Sequence, residues 1–164
     1  MSAKRTYAAG TDVSAQASRA EIEKMVRAAG ANAFMFAEDV DVARVSFRME
    51  GRLLRFDIPL PAPDEDRFLT VLRGAAGRQK RTAVQAAAAY DRVVRELWRA
   101  LALTIKAKLT AVEAGIVTFE EEFLSHVVLA DGQTVGRVVG RQLALHYEGK
   151  DPPRLLADYT GGKG

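Results

Sequence analysis

The longest regular pattern of apolar positions in this chain lies between Thr82 and Ala114. Neither Gly nor Pro interrupts this stretch. Its apolar side chains recur every three or four positions, at Val94, Trp98, Leu101, Ile105, Leu109 and Val112. The spacing predicts one amphipathic helix that stops at Gly115. At about 1.5 Å per residue this helix would span roughly 50 Å, so we expect it to organise the fold.

Shorter patterns precede the long helix. Ser18 and Glu21 have the spacing of a capping box, and an apolar stripe runs from Ile22 to Val26 before Gly30, which predicts a first helix over residues 18–29. From Ala33 the pattern changes: Phe34 and Phe36 alternate with small residues, residues 42–49 are rich in strand-forming residues, and Glu50-Gly51 supplies a turn before a third mixed segment at 53–58. We therefore expect a three-stranded meander.

The remaining segments predict a loop and a small C-terminal subdomain. Prolines end the third strand, and we expect residues 62–81 to form a mobile loop with at most a short turn near 68–72. Thr118 and Glu121 have the spacing of a second capping box, which predicts a short helix to about Ser125. A small hairpin turning at Asp131-Gly132 and a last helix should follow.

The predicted fold class is α+β, with the first helix and the long helix on one face of the sheet. We expect a flexible arm over residues 1–17, one domain over 18–148 and a tail over 149–164. Part of the long helix overhangs the sheet, so either the C-terminal subdomain or a second copy of the chain should cover it.

Composition narrows the class of protein. A chain of 164 residues with 48% hydrophobic and 27% charged residues is ordinary for one domain with a real core. The absence of cysteine excludes disulfides, thiolate zinc sites and thiol catalysis. No apolar run approaches the length of a membrane span, and the first residues lack the apolar stretch of a signal peptide, so we expect a cytoplasmic protein without a membrane partner.

The candidate binding residues are basic. The net charge is only +3, so attraction to nucleic acid requires local clustering. Such a cluster is predicted where the long helix meets the preceding loop and the polar face of the second strand, and its candidate phosphate contacts are Arg48, Arg78, Lys80, Arg81, Arg92, Arg95 and Arg99.

Each of these features can also be explained without nucleic-acid binding. The arginines of the helix can form a solvated face, paired as Asp91 with Arg95 and Glu96 with Arg99. Alternation in the second strand, with Arg48 on its polar face, is also what any half-buried antiparallel sheet shows. Trp98 is in step with the apolar stripe, which favours a core position over a base-stacking role.

No motif indicates catalysis, a metal or a cofactor. Glu122 and His126 are four residues apart and could share a helix face, but glutamates in a first turn are explained by the helix dipole alone. Glycine-rich nucleotide motifs and nucleophile motifs are missing from the sequence. We therefore predict neither an enzyme nor a metal or cofactor site.

Four segments of the second half carry a resemblance to a known family. They are LWRAL at 97–101, IKAKL at 105–109, AVEAGI at 111–116 and TFEEEFL at 118–124. Together with the first helix and the strands, they resemble a family of small, functionally unassigned proteins from bacteriophages, prophages and related mobile elements. That resemblance covers the chain to about Gly136 and implies a setting in nucleic-acid transactions or in blocking of host defences, without assigning functional residues.

The predicted architecture is also similar in outline to the core of single-strand annealing proteins. The sequence therefore predicts a non-enzymatic nucleic-acid-binding accessory protein of a phage or mobile element, with single-stranded DNA as the partner. The alternative is a protein-interaction module, such as an inhibitor of a host or defence factor, that uses the long helix and the loop of residues 59–81.

Overall fold

The computed structural model describes residues 12–74 and 77–149 and has the predicted α+β architecture. One antiparallel sheet, in the order β1-β2-β3, lies against two helices, and a two-stranded hairpin and a C-terminal subdomain flank them. In chain order the elements are α1 (Ala15–Ala28), β1 (Ala33–Glu38), β2 (Val42–Met49), β3 (Arg52–Pro59), α2 (Asp66–Leu69), β4 (Thr70–Leu72), β5 (Arg78–Lys80), α3 (Ala83–Glu113), α4 (Phe119–Phe123), a 3₁₀ turn (Leu124–His126) and α5 (Val135–Tyr147).

Helix α1 begins three residues earlier than predicted. Its cap is Ser14, whose side chain accepts a hydrogen bond from the Ala17 N–H at 3.0 Å. The predicted capping box at Ser18 is therefore wrong, because the helix continues back through alanines and Ser18 is buried inside it. Its predicted partner Glu21 instead forms an ion pair with α3. The end of the predicted arm, residues 15–17, thus belongs to α1, while residues 1–11 lie outside the described residues.

The sheet has the predicted strands and faces. Val45, Phe47 and Met49 of β2 point into the core, and their neighbours in β3 do the same at alternate positions. The turn between these strands has φ of 49° at Glu50 and 72° at Gly51. Positive φ at both central residues is typical of a two-residue hairpin turn, which fixes the register and hence the buried face.

The long helix α3 forms as predicted. Its start is fixed by a capping box in which Thr82 and Gln85 satisfy each other's backbone N–H groups. Its 31 residues give a length of about 46 Å. Trp98, Ala102 and Ile105 are buried against α1 and the inner face of the sheet. Trp98 is only 1% exposed, which confirms its predicted place in the core.

The prediction of a loop over residues 62–81 is wrong for two segments. Residues 66–72 form α2 and β4, and β5 pairs with β4 in antiparallel register. The reason is contact with distant residues: Phe68 is buried, and its ring meets that of Tyr90 on α3 edge to face at 5.5 Å between centroids. The hairpin is thereby fixed beside the first half of α3. The predicted mobility of the segment stays a prediction.

The C-terminal subdomain covers part of α3 and one edge of the sheet. The predicted capping box of Thr118 and Glu121 is confirmed, and it starts α4, whose Phe123 is fully buried. Val127 pairs with Leu54 of β3, and Val128 pairs with Thr134 across the predicted turn. Helix α5 follows without a buried residue. Most of the predicted tail, residues 150–164, lies outside the described residues.

Candidate nucleic-acid interface

A groove lies between α3 and the β4–β5 hairpin, and we call it the basic groove. Its volume is about 370 Å³. Four of its lining side chains are arginines and none is acidic. The lining residues are Val71, Arg73, Arg81, Gln85, Ala88, Ala89, Arg92 and Arg95. Three of the predicted phosphate contacts, Arg81, Arg92 and Arg95, thus come together in one concave surface.

Arg81 is held in place by the backbone of α2. Its guanidinium donates hydrogen bonds to the carbonyl oxygens of Arg67 at 2.8 Å and of Phe68 at 3.1 Å. Both bonds use one nitrogen, so the rest of the guanidinium keeps its donors, and the positive charge is not neutralised because the acceptors are neutral. Arg81 therefore presents a positioned cation in the groove just before the Thr82 cap of α3.

Arg95 is half-buried and lies where two cavities meet. Together with Ala88 it lines both the basic groove and a neighbouring cavity of about 380 Å³ beside Ala15 and Asp91. Its Nε is shielded from solvent and has no hydrogen-bond partner among the described residues. An unsatisfied buried donor is costly. The predicted Asp91–Arg95 ion pair is absent from the described part of the chain.

Arg73 and Arg92 complete the groove. Both side chains are exposed, and neither takes part in an ion pair within residues 12–74 and 77–149. Arg73 follows β4, and its backbone N–H bonds to the Gly77 carbonyl at 2.9 Å, which closes the hairpin. Sequence reasoning left Arg73 out of the candidate set because it did not predict this hairpin.

The remaining candidates lie outside the groove. Arg99 forms an ion pair with Glu21 between α3 and α1, with its side chain 25% exposed. Arg78 of β5 forms an ion pair with Asp66. Lys80 is exposed on the same strand. Two of these three candidate charges are thus paired by carboxylates that are distant in sequence.

On the outer face of the sheet, one carboxylate lies beside two arginines. Asp57 lies 3.6 Å from Arg44 and 3.1 Å from Arg55, and the Arg55 guanidinium also donates to the Gly132 carbonyl at 2.7 Å. Arg48 is exposed on this face and has no ion pair among the described residues. Because α1 and α3 cover the opposite face, Arg48 and the basic groove are on different sides of the sheet.

Two aromatic side chains of α3, Trp98 and Tyr90, are engaged away from the groove. Trp98 is in the core, where the Arg19 guanidinium lies 4.3 Å from the centre of its ring. Tyr90 packs on Phe68 beneath the hairpin. Neither ring lines the basic groove. The groove can therefore bind a phosphate backbone by charge, but it offers no aromatic ring to a base.

Glu122 and His126 each contact another side chain. Glu122 accepts a hydrogen bond from the Lys108 Nζ at 2.8 Å, and His126 stacks on Phe56 with ring centroids 3.9 Å apart. Burial, together with the charge of Lys108, lowers the pKa of His126. Across the described ranges, no three His, Cys, Asp or Glu side chains come close enough together to hold a metal ion.

Comparisons with family models, curated proteins and solved structures gave no match for this chain. Within the part of the chain that the structure describes, no helix combines the length and the apolar character needed to cross a lipid bilayer.

Proposed function

We propose that this protein is a non-enzymatic nucleic-acid-binding accessory protein of a phage or mobile element, and that the basic groove holds the phosphate backbone of single-stranded DNA. The observation that carries the proposal is the gathering of Arg73, Arg81, Arg92 and Arg95 in one groove without an acidic residue. Surface arginines usually have carboxylates nearby, as Arg44 and Arg55 of the sheet face do. A groove without them attracts a chain of negative charges.

The size of the groove favours one strand over two. Its volume of about 370 Å³, with α3 on one side and the hairpin on the other, suits the sugar–phosphate backbone of one strand. Guanidinium groups bind phosphate oxygens with two parallel hydrogen bonds, which suits a backbone passing along the groove. Four such contacts correspond to a slope of about −2.8 in log affinity against log salt for a single strand.

We expect binding to be independent of base sequence. The one uncharged polar side chain that lines the groove is Gln85, and its Oε1 accepts the Thr82 N–H in the capping box. This oxygen therefore helps to fix the start of α3. With its oxygen engaged, Gln85 cannot offer the donor–acceptor pair that an amide uses to read adenine, and arginines bound to phosphates carry no sequence information.

The test is the salt dependence of binding to a labelled oligothymidylate of about 16 nucleotides, near the upper end of single-strand site sizes. The Arg73→Gln, Arg92→Gln double variant removes two exposed groove charges. The Lys24→Gln, Arg137→Gln double variant removes two exposed charges elsewhere, so both variants have the same net charge. We expect the groove variant alone to flatten the slope, by about 0.7 for each lost contact.

Absence of binding by the wild-type protein at low salt would contradict the proposal. Equal weakening by both double variants would also contradict it, since net charge rather than the groove would then be responsible. A mixed-sequence oligonucleotide of the same length should bind with the same affinity, and a strong preference for one sequence would show that bases are read elsewhere on the protein.

A protein-interaction module is the second candidate, and exposed apolar side chains favour it. Leu72 of β4 is 75% exposed and Val84 of α3 is 80% exposed, so both elements that form the groove also present apolar surface. An acidic protein partner could use both features. If Leu72→Ser, Val84→Ser abolishes binding of a copurified protein and leaves oligothymidylate binding unchanged, this second function is supported.

A further inference from the structure

A third cavity lies at the other end of α3, and we call it the apolar cavity. It is bordered by the end of α1, the β2–β3 turn, the last turns of α3 and the start of α4, it opens to solvent, and its volume is about 600 Å³. That volume is within the range of small-molecule sites. The side chains that form its apolar lining include Met25, Met49, Leu109, Val112 and Phe119. Residues 92 and 109 of α3 are about 25 Å apart along the helix axis, so this cavity is separate from the basic groove.

The charges at the rim of the apolar cavity are predominantly negative. Glu50 and Glu113 both line it and are exposed, and Lys106 is the one basic residue there. None of these three side chains makes a hydrogen bond or an ion pair with another residue in the described ranges. The C-terminal end of α1, at Ala28 and Ala29, also borders the cavity and adds the negative end of a helix dipole.

Glu50 has an unfavourable backbone conformation. Its φ of 49° makes it the one residue other than glycine with a positive φ in the described part of the chain. In a two-residue turn this position is normally occupied by Asn, Asp or Gly, and Gly51 beside it follows that preference. Residues in strained conformations are concentrated at functional sites. Here the strained turn places a carboxylate at the rim of the apolar cavity.

We propose that the apolar cavity binds a small organic cation, an ammonium group carried on an apolar body, with the ammonium between Glu50 and Glu113. The apolar body contacts the floor of the cavity, where the flexible side chains of Met25 and Met49 adapt to its shape. The two carboxylates and the end of α1 exceed the single charge of Lys106, so a cation is preferred over an anion. This site is independent of the proposed nucleic-acid function.

The experiment uses octylamine, which is protonated at neutral pH, with octanoate and 1-octanol as anionic and neutral probes of matched length. Binding is followed through the isotope-labelled methionine methyl groups in NMR spectra of the full chain. Met25 and Met49 line the cavity, whereas Met35 lies on the outer face of the sheet and serves as an internal control. We expect octylamine to shift the Met25 and Met49 signals saturably and to leave the Met35 signal unchanged, with octanoate binding more weakly.

Two variants of Glu50 distinguish the effect of its charge from the effect of its backbone conformation. Glu50→Gln removes the charge, and Glu50→Gly removes both the charge and the backbone strain. We expect each to weaken octylamine binding about three- to fivefold, the loss typical of one solvent-accessible ion pair. Only Glu50→Gly should raise the urea midpoint of unfolding, because glycine adopts this φ freely. Asp64→Asn, which removes an exposed carboxylate elsewhere, should change neither quantity.

Four results would overturn the proposal. The first is the absence of a saturable shift, and the second is octanoate binding as tightly as octylamine. The third is an equal shift at Met35, which would indicate nonspecific association. The fourth is octylamine binding that appears only after residues 150–164 are removed, because the cavity would then be occupied by this chain's own C-terminal segment.

Discussion

The outer face of the sheet and the basic groove both carry arginines, yet the two regions differ in the positions of their carboxylates. On the sheet face, Asp57 lies within ion-pair distance of Arg44 and Arg55. In the groove, four arginines share a concave surface with no acidic side chain. The comparison shows that the number of arginines does not identify a polyanion site. A polyanion site is identified by arginines that the tertiary structure leaves without carboxylate partners.

The largest expected effect concerns the layer that separates the two regions. Trp98 is buried between α3, α1 and the inner face of the sheet. Trp98→Ala should lower the free energy of unfolding by about 3–5 kcal/mol, because it leaves a large cavity in the core. Urea unfolding measures the change. A difference within experimental error would show that the helices are not packed on the sheet and that the two arginine surfaces are not separated in this way.

The next prediction concerns a variant that removes a carboxylate from the sheet face, so that its arginines lack an acidic partner as those of the groove do. Asp57→Asn removes the carboxylate beside Arg44 and Arg55. Arg55 keeps its hydrogen bond to the Gly132 carbonyl. We expect oligothymidylate binding to gain affinity at low salt, and its salt slope to steepen by about 0.7 for each arginine that reaches a phosphate. The same oligonucleotide titration over a series of salt concentrations measures the effect.

The matched control for Asp57→Asn is Glu120→Gln. It removes one negative charge and frees Arg52, whose guanidinium lies 3.0 Å from Glu120, outside both regions. The control should leave the slope unchanged. Equal steepening in both variants would mean that net charge, rather than the place of the arginines, governs binding.

The smallest expected effect concerns the C-terminal subdomain, whose Gly132 carbonyl accepts a hydrogen bond from Arg55 of the sheet face. Burial on Phe56 and the charge of Lys108 lower the pKa of His126, although Glu122 and the Arg55 backbone act in the opposite direction. In the unfolded chain His126 binds its proton near the ordinary pKa of about 6.5. As the pH falls below that value, the unfolded state takes up a proton that the folded state resists, so stability decreases until the lowered pKa is passed.

We therefore expect the melting temperature to fall slightly between about pH 7 and pH 5, around the ordinary histidine pKa. The difference in this pH dependence between wild type and His126→Asn isolates the contribution of His126. A melting temperature that depends on pH identically in the two proteins would show that His126 is solvated and that the subdomain is not packed on β3.

Local sequence patterns predicted the elements whose signals are also local. The long helix from Thr82 and the capping box of Thr118 depend on residues three or four positions apart, and both are confirmed. Helix α1 was placed three residues late because Ser14 and Ser18 each precede a helical pattern, and only packing decides between them. The β4–β5 hairpin was missed because Phe68 is anchored by Tyr90, and no local pattern records that contact.

Part of the candidate site was predictable because it also depends on local spacing along a helix. Helical spacing placed Arg92 and Arg95 on one side of α3, and the structure brings Arg81 to them through the hairpin. Arg99 has the same spacing, but its ion-pair partner Glu21 is 78 positions away, so nothing near Arg99 in the sequence indicates that its charge is neutralised. Arg73 could not be assigned to the groove without knowledge of the hairpin. Arg48 was predicted to belong to the same cluster, but it lies on the opposite side of the sheet from the groove.

The most direct test of the proposed function is to observe which arginines contact the nucleic acid. The Nε–Hε groups give separate NMR signals, and these can be followed while oligothymidylate is added at low salt. We expect the signals of Arg73, Arg81, Arg92 and Arg95 to shift together, and those of Arg44, Arg48 and Arg55 to stay in place. Shifts confined to the sheet-face arginines, or no shift of any arginine signal, would contradict the assignment of the basic groove as the binding site.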